Sequence, residues 1–504
     1  MKQTLSATLL GHNSHVVNVE TTFTRGLPSF SIVGLASSAI QESKERVKSA
    51  LLSNNFTFPP LRITLNLSPS DLHKDGTQFD LSIALLIALY DDKSIKLDKW
   101  AIFGELGLDG TVKENSNLFA QILSFASQHP HSKIIVPFES SNRLSMIDNL
   151  EIYPVKSLQQ TISFFKKEID IQPLSFKHTQ HKTLEILNIP YHYQDTFELD
   201  FLEVKGQEIA KRAALIAAAG GHNLLLEGNP GSGKSMIAKR ISSILPPIAH
   251  EELLNIAKLD SLNGQVPSFK PERPFRSPHH SCTQASIFGG GSKGAQIGEA
   301  GLAHLGLLFF DELPHFSKTI LEALREPLED KKILISRVQS KTEYQTDFLF
   351  VAAMNPCPCG NLLSSNKACR CSDSEIKRYK NRLSDPFLDR IDLTVSMQES
   401  HISDQKSISS KQMQTQVFTA FAFRKKRAQK VNNGNLSDKE INNYCQLNEA
   451  CQNILLQASN RFLLSARAIN KVKKVARTIA DLDERDSIDK NDILEALSFR
   501  RREA

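Results

Sequence analysis

The spacing of apolar and polar residues predicts different structures along the chain. Near the amino terminus, "RITLNLSPSD" (Arg62 to Asp71) alternates as a half-buried strand does. The next run, "DLSIALLIALY" (Asp80 to Tyr90), is apolar on nearly every side, as in a buried helix. "KIIVPFES" and "LEIYPV" predict two more strands. The first region, residues 1–165, is therefore predicted to be an α+β domain.

Three further regions follow the first. Polar, histidine-rich sequence over residues 166–197 predicts a linker. Residues 198–398 alternate strand-like apolar runs with helices, which is typical of an α/β fold with a mostly parallel sheet. Residues 399–504 predict a small helical domain, in which Ser437 and Glu440 have the spacing of a capping box.

Composition narrows the class of protein only a little. The chain has 504 residues, of which 40% are hydrophobic and 23% charged, as in ordinary globular proteins of several domains. We expect no membrane partner, because no run of eighteen apolar residues occurs. A cluster of cysteines suits a reducing compartment, so a cytoplasmic location is expected. The net charge of +6 permits an acidic partner such as nucleic acid but does not require one.

The strongest chemical motif is "GNPGSGKS", which has the P-loop spacing G-x-x-x-x-G-K-[ST]. An apolar run leads into it and a helical stretch leads out, so its backbone N–H groups are predicted to wrap phosphates. Lys234 is expected to reach the β- and γ-phosphates of ATP, and Ser235 to ligate Mg²⁺. The predicted cofactor-binding residues are Gly228, Asn229, Pro230, Gly231, Ser232, Gly233, Lys234 and Ser235.

The polar residues that follow two later apolar runs are predicted to join the same site. "GLLFFDE" ends in Asp311 and Glu312, at the carboxyl end of a predicted strand, where open parallel sheets bind ligands. Asp311 is predicted to hold the metal and Glu312 to polarise the attacking water, although an acid pair that caps a helix is the structural alternative. "DFLFVAAMN" ends in Asn355, which is placed to contact the γ-phosphate or that water.

Longer blocks resemble the AAA+ ATPases, in their magnesium-chelatase-like branch. These blocks include "FLEVKGQEIAKRAALIAAAGGHNLLLEGNPGSGKS", "RPFRSPHHSCTQASIFGGGSKGAQIGEAGLAHLGLLFFDELPHF" and "LEALREPLEDKKILISR". The resemblance implies adenine contacts from Val204, Gly206 and Gln207. It also implies that Arg390, in "LSDPFLDRIDL", is an arginine finger for the neighbouring subunit, and that Arg467, in "LSARA", is sensor 2. A helical lid and a ring, most simply a homo-hexamer, follow from the same resemblance.

The first region resembles the Lon protease domain, which has a ribosomal S5 domain 2-like fold. The resemblance rests on "LSPSDLHKDGTQFDLSIALLIAL" and "IFGELGLDGTVKENSNLF". The positions of the catalytic serine and lysine hold Gln78 and Phe119, which cannot form a serine–lysine dyad. Lys74 and Asp75 are interpreted as structural turn residues. The resemblance therefore implies a retained fold without proteolysis.

This combination of domains resembles the ComM (YifB) family over nearly the whole chain. The resemblance implies a bacterial ATP-driven motor on DNA that moves branch points in recombination intermediates and helps to integrate DNA during natural transformation. Two alternatives remain open. One is a protein-remodelling chaperone of the magnesium-chelatase type without DNA activity, and the other is an ATP-dependent protease, which Gln78 and Phe119 oppose.

Four of the seven cysteines lie within fifteen positions of one another, as two C-x-C pairs: Cys357, Cys359, Cys369 and Cys371. Four thiolates can close a tetrahedral site for structural Zn²⁺. Reduced thiols in a turn and a disulfide or redox role are the alternatives. His279 and His280 are further candidate metal ligands, with ordinary polar roles as the alternative.

The sequence contains no evident module that reads bases, so any DNA contact is expected to be sequence-independent and made to phosphates of single-stranded or branched DNA. The candidates are Arg337 and Lys341 in a predicted hairpin, and Lys293 in "GGGSKGA". The basic stretch from Arg424 to Lys430 and "FRRR" near the end are also candidates, with a solvated helix face as the alternative.

Overall fold

The structure, a computed structural model, describes residues 2–177, 179–290, 296–336, 341–364, 367–399 and 407–500, without the side chains of residues 336 and 341. Within these ranges the chain forms two compact units. The first contains the described residues among 1–180, 254–269 and 337–342, and the second contains those among 181–253, 270–336 and 343–504.

The first unit is a mixed α/β domain. Its elements are β1 (Lys2–Leu10), β2 (Asn13–Thr24), β3 (Ser29–Val33), α1 (Ser38–Ser53), β4 (Arg62–Ser68), α2 (Asp80–Ala88), β5 (Trp100–Ile102), β6 (Glu105–Leu106), β7 (Val112–Lys113), α3 (Leu118–Gln128), β8 (Lys133–Pro137), α4 (Ser141–Leu144), β9 (Glu151–Val155) and α5 (Leu158–Phe165). Seven strands form one sheet in the order β3-β4-β2-β1-β5-β8-β9. The predicted buried helix is α2, in which every residue from Asp80 to Ile87 is buried.

The second unit contains the ATPase-like core and the helical region. Its elements are β10 (Lys182–Ile186), β11 (Ile189–Tyr193), α6 (Glu208–Gly220), β12 (Leu224–Gly228), α7 (Lys234–Ile241), β13 (Ile248–Ala249), α8 (His250–Leu262), β14 (Phe275–Arg276), α9 (Gln284–Phe288), α10 (Glu299–Leu302), β15 (Leu307–Phe310), α11 (Lys318–Ala323), α12 (Arg325–Asp330), β16 (Lys332–Ser336), β17 (Lys341–Gln345), β18 (Leu349–Met354), α13 (Asp373–Lys380), α14 (Asp385–Leu388), β19 (Leu393–Met397), α15 (Ser410–Lys426), α16 (Asp438–Tyr444), α17 (Glu449–Phe462), α18 (Ala466–Leu482) and α19 (Lys490–Ser498).

The central sheet of the second unit has five strands in the order β14-β15-β18-β12-β19. All neighbouring pairs are parallel, so the carboxyl ends of the strands meet at one edge. The middle strands are buried along their whole length: β15 reads "LLFF" and β18 reads "LFVAAM". The predicted α/β fold with a parallel sheet and a helical C-terminal region is confirmed.

Helix α8 differs from the predicted domain boundaries. Its residues from Leu254 onward, with the segment to Phe269, belong to the first unit and not to the ATPase core. Leu254 and Ala257 are buried in an apolar cluster with Leu118 and Phe125 of α3. The periodicity of a helix indicates an apolar face but not the unit against which that face packs.

Part of the predicted linker is folded. Residues 182–193 form the antiparallel hairpin of β10 and β11, and β11 also pairs with β13. Tyr191 is buried and its ring meets that of Phe421 edge-on, with centroids 5.0 Å apart. The polar, histidine-rich composition concealed this hairpin because tertiary contacts, and not local periodicity, stabilise it.

The predicted capping box in the helical region is confirmed. Ser437 caps α16, and its side chain and that of Glu440 form the predicted capping box. None of the helices described is long and apolar enough to cross a lipid bilayer.

Candidate nucleotide-binding site

The loop between β12 and α7 has the backbone that the P-loop pattern requires. Gly231 and Gly233 have φ angles of +82° and +91°, a left-handed region that glycine enters without strain. A side chain on Gly228 would meet the Ser232 hydroxyl at 2.8 Å, so the loop closes tightly on itself. The Ser232 Oγ and the Asn229 Oδ1 are buried and make no hydrogen bond to any described residue. These features fit a loop that receives the phosphates of a nucleotide.

Four predicted side chains converge beside this loop, from the segments that follow β12, β15 and β18. The Lys234 ammonium donates to the Gly228 and Asn229 carbonyls at 2.7 and 2.8 Å and to the Asn355 Oδ1 at 3.2 Å. The Ser235 hydroxyl donates to the Asp311 Oδ2 at 2.7 Å. Burial lowers the pKa of Lys234 from its usual value, and Asp311 opposes this shift. Parallel strands bring these groups together although 121 positions separate Lys234 from Asn355.

The donor set fits ATP with Mg²⁺. Ser235 and Asp311 already present a hydroxyl and a carboxylate oxygen to each other, and these are the oxygen ligands that Mg²⁺ accepts. Lys234 would bind the phosphates, and its present carbonyl partners are neutral groups that it can exchange for them. Bound Mg²⁺ would neutralise charge on the β- and γ-phosphates.

Glu312 lies at the tip of β15 in a left-handed conformation, with φ +52° and ψ +46°. This is uncommon for a residue that is not glycine and is often found at functional sites. Its side chain is half exposed, and its Oε2 lies 3.5 Å from the Nδ1 of His280. The position suits a base that must reach a water molecule. His280, a candidate metal ligand from the sequence, lies beside this carboxylate and not in the cysteine cluster.

The predicted adenine-side residues lie at the start of α6. Val204 is buried, and Gly206 and Gln207 both have positive φ angles, of 60° and 59°. The Gln207 amide donates to the Gln398 carbonyl at 2.6 Å, just beyond the end of β19. Since Gly228 and Met397 are paired across β12 and β19, this contact brings Gln207 to the P-loop edge of the sheet.

The four clustered cysteines come together as the sequence predicts. Their Sγ atoms all lie within 4.8 Å of one another, and three of the pairs are 3.4 to 3.6 Å apart. Tetrahedral zinc with Zn–S bonds of about 2.3 Å places its sulfurs about 3.8 Å apart, so the cluster has nearly the required size. Backbone N–H groups of Asn361 and Arg370 lower the pKa of Cys359 to about 6. His279 and His280 are not part of this group.

The cysteine loop touches the P-loop directly. A side chain on Gly360, which follows Cys359, would meet the Pro230 ring at 2.6 Å and would approach Asn355 to 4.0 Å. Gly360 also has a φ of +79°, so a larger residue would be strained there as well as crowded. Whatever holds the four sulfurs together therefore also fixes a wall of the phosphate loop.

The two predicted arginines share one carboxylate. Arg390 and Arg467 both donate to Glu329 on α12, with 2.9 Å between the Arg467 Nη2 and the Glu329 Oε1. Although burial opposes the shift, the two guanidinium groups hold the pKa of Glu329 below its usual range. The Arg390 Nε is buried and makes no hydrogen bond within the described chain. The fold thus gathers the two cations at one place.

Contacts with the sheet and with the helical region fix the backbone around Arg390. The Asn223 amide, just before β12, donates to the Arg390 carbonyl at 2.8 Å. Asp392 accepts from the Asn223 backbone N–H at 2.9 Å and pairs with Lys471 of α18, also at 2.9 Å. A movement of α18 would therefore reach Arg390 through Asp392 as well as through Glu329.

Buried side chains occupy the two positions that correspond to the Lon dyad, which we call the closed site. Gln78 is fully buried, and its amide donates to the carbonyls of Ala7 and Asp75, both at 3.0 Å. Phe119 is buried edge-on against Phe269, with ring centroids 5.4 Å apart. Lys74 is buried and donates to the Pro69 carbonyl. These contacts are structural, as the interpretation of Lys74 required.

The side chains of the three residues predicted to contact DNA are not among those that the structure describes. Lys293 and Arg337 lie outside the described residues. Lys341 begins β17, and its side chain is likewise outside them. The two arms of the predicted hairpin are present as β16 and β17, which pair with each other.

Sequence reasoning found neither Glu329 nor the contact of His280 with Glu312, the carboxylate predicted to polarise water. Glu329 lies within "LEALREPLEDKKILISR", which was used only as a signature block, and its partners are 61 and 138 positions away. Only the fold brings these residues together. The local signal available was the surplus of acidic residues at the end of α12, and acidic residues are common on solvated helices.

Comparison with known proteins agrees with this geometry. Residues 200–405 match the family described as "Magnesium chelatase, subunit ChlI", residues 19–140 match "Subunit ChlI of Mg-chelatase", and residues 407–500 match "Magnesium chelatase, subunit ChlI C-terminal". The chain is 36% identical to the "Competence protein ComM" of Haemophilus influenzae, over 97% of this chain and 96% of that protein. It is 37% identical to the uncharacterized protein YifB of Escherichia coli, over 97% and 95% of the two chains. The chain therefore belongs to the ComM/YifB family of magnesium-chelatase-like AAA+ ATPases.

Proposed function

We propose that this protein is an ATP-hydrolysing ring motor that acts on DNA as a branch-migration helicase and promotes the integration of DNA in recombination and natural transformation. The substrate is single-stranded or branched DNA, bound through its phosphates without regard to sequence. A competence protein is among the relatives that match along nearly the whole chain, and this supports a role in handling incoming DNA.

The observation that carries the proposal is the separation of hydrolytic groups into two sets. Lys234, Ser235, Asp311 and Asn355 converge around the phosphate loop. Arg390 and Arg467 instead gather on Glu329. Hydrolysis of ATP needs cations close to the negative charge that develops at the γ-phosphate. Lys234 is the one cationic side chain in the first set. We propose that the arginine set completes the phosphate site of the adjacent subunit, so that the working form is a homo-hexamer.

We further propose that Cys357, Cys359, Cys369 and Cys371 hold a structural Zn²⁺ ion. Four protein ligands would leave no open coordination position, so the metal would act on geometry and not on chemistry. The contact of Gly360 with Pro230 supports a role in fixing the phosphate loop. Free thiols so close together suit a reducing compartment, and this favours a cytoplasmic protein. Elemental analysis of the purified chain should give about one zinc per protomer, and none after Cys369→Ser with Cys371→Ser.

The deciding experiment is ATP hydrolysis measured with and without DNA. Purified chain is assayed alone, with single-stranded DNA, with a four-way junction and with linear duplex. We expect junction or single-stranded DNA to raise the rate several-fold at low salt, and added salt to remove the effect because phosphate contacts release counterions. A labelled three-strand junction then tests whether ATP moves the branch point. A rate that no DNA changes, together with no DNA binding at low salt, would reject the motor.

The same assay separates the two alternatives. A protein-remodelling chaperone of the magnesium-chelatase type would hydrolyse ATP with no response to DNA. An ATP-dependent protease would degrade a casein-like substrate, which the buried contacts of Gln78 and Phe119 oppose. The motor, the chaperone and the protease therefore differ in the results that they predict.

A further inference from the structure

A second charged cavity lies at the opposite edge of the central sheet from the phosphate loop. It has a volume of about 330 Å³, and Gly306 and Leu349, at the amino ends of β15 and β18, line its floor. Its walls come from β11, from α15 and from the segment that follows α15. Since the P-loop follows the carboxyl end of β12, this cavity is distinct from the nucleotide site.

The lining of the cavity is predominantly cationic. Two acidic side chains, Glu252 and Asp347, face five basic ones, which are Arg273, Lys331, Arg424, Lys425 and Lys430. Glu252 pairs with Arg273 at 3.1 Å, and Asp347 lies 3.7 Å from Lys331. The two carboxylates are therefore engaged with these partners. They form no ion pair with the cations on α15, although Glu252 favours the charged forms of Arg424 and Lys425 from a greater distance.

Arg424 is the most confined of these cations. Only 4% of the residue is exposed, its Nε makes no hydrogen bond to a described residue, and one Nη donates to the Asn432 amide oxygen. Burial lowers its pKa to about 10, and the nearby Arg273 adds to that shift. Asp481 and Glu252 favour the charged form from a distance. The Asp481 oxygens already accept from Arg427, Arg477 and Asn433, and Glu252 pairs with Arg273. This part of the basic stretch is therefore not the solvated helix face that sequence allowed.

Lys425 supports the same interpretation. Its ammonium lies over the rings of Phe421 and Tyr191, 5.3 and 5.6 Å from their centroids. Burial, with repulsion from Arg424, lowers its pKa from the usual value. Buried cations that repel one another cost free energy unless an anion lies between them.

We infer that this cavity binds a small phosphate-bearing anion through Arg424 and Lys425, with Lys430 at its exposed rim. Arg424 offers the fork of donors that matches phosphate, and Lys425 supplies a second charge. The volume lies within the range of small-molecule sites. An enclosed arginine favours a small ligand over the backbone of a nucleic acid. The bound anion would link α15, the first helix of the C-terminal region, to the amino ends of the sheet. This inference does not depend on the DNA activity proposed above.

Calorimetric titration of the full-length chain tests the site. The Lys234→Ala variant removes the phosphate ligand of the P-loop, so that remaining binding reports on the second cavity. Inorganic phosphate, pyrophosphate and AMP are titrated separately into it, which distinguishes a single phosphate, a longer phosphate chain and a nucleotide. We expect one equivalent of at least one of them to bind.

Added substitutions then locate the binding. Arg424→Gln or Lys425→Gln in the Lys234→Ala background should weaken it tenfold or more, since each removes a charge-assisted contact. Lys426→Gln is the matched control, because Lys426 is exposed and lies outside the cavity lining. If Arg424→Gln prevents folding, the half-buried Lys425 decides the question. The inference is overturned if none of the three anions binds, if binding survives both substitutions, or if only an oligonucleotide binds in a Lys425-dependent manner.

Discussion

The site at Gln78 and the site at Lys234 use their polar groups in opposite ways. The Gln78 side chain donates both of its N–H groups to fixed carbonyls, and its oxygen accepts from Asn115 at 3.2 Å, so each of its polar atoms has a partner within the first unit. Around Lys234, the side-chain oxygens Ser232 Oγ and Asn229 Oδ1 accept no hydrogen bond from a described residue. The lysine ammonium donates to backbone carbonyls, which it can exchange for phosphate. A fold can thus be kept while a buried amide with structural contacts occupies the position of the nucleophile, whereas the phosphate loop holds a lysine whose partners can be exchanged.

The largest effect should follow from removing the cation that we assign to the adjacent subunit. Arg390→Ala should lower ATP hydrolysis by about 10³-fold, because an arginine finger stabilises the charge that develops on the γ-phosphate in the transition state. Arg378→Ala, an exposed arginine on α13, is the control and should leave the rate unchanged. The measurement is steady-state phosphate release at saturating ATP.

Mixing distinguishes an arginine that acts across subunits from one that acts within its own. Equal amounts of Arg390→Ala and wild-type chains, allowed to exchange, should hydrolyse ATP well below half the wild-type rate. Activities that simply add in proportion would contradict the trans assignment and would mean that Arg390 acts within its own subunit.

A smaller effect is expected at Glu312, the carboxylate predicted to polarise water. Glu312→Gln should lower the hydrolysis rate by about 10²-fold, the usual contribution of a general base, while ATP still binds. Glu326→Gln, on the exposed side of α12, is the matched control. Phosphate release gives the rate, and a fluorescent ATP analogue gives the binding. Undiminished hydrolysis would mean that Glu312 is a structural acid, which was the alternative open from sequence.

Much of the open site could be predicted because its signals are local. The P-loop spacing, the acids after "GLLFF" and the C-x-C pairs each lie in a short segment whose chemistry constrains its residues. The parallel sheet then brings the segments together by a general rule of α/β folds. The coarse fold was predictable for the same reason, since β15 and β18 are apolar throughout.

What could not be predicted depends on pairs that are distant in sequence. Glu329 meets two arginines from other elements, and Gly360 meets Pro230 from 130 positions away. The hairpin of β10 and β11 lacks strong periodicity and relies on Tyr191 packing against Phe421. Arg424 lies in a run of basic residues that is typical of a solvated surface, but in the structure its side chain lines a cavity. In each case tertiary contacts decided the outcome, and no single segment carries their signature.

The smallest effect on ATP hydrolysis should come from a substitution of Gln78 in the first unit. Gln78→Ala leaves the Ala7 carbonyl without its side-chain donor, so we expect the free energy of unfolding of the first unit to fall by about 1–3 kcal/mol. The rate of hydrolysis per folded chain should stay within twofold of wild type. Urea unfolding followed by fluorescence measures the first effect, because the single tryptophan, Trp100, lies in β5 of that unit. Gln172→Ala, at an exposed position of the same unit, should change neither quantity. Casein cleavage by wild type that Gln78→Ala abolishes would reopen the first unit as a catalytic domain, because a residue with only structural contacts cannot account for it.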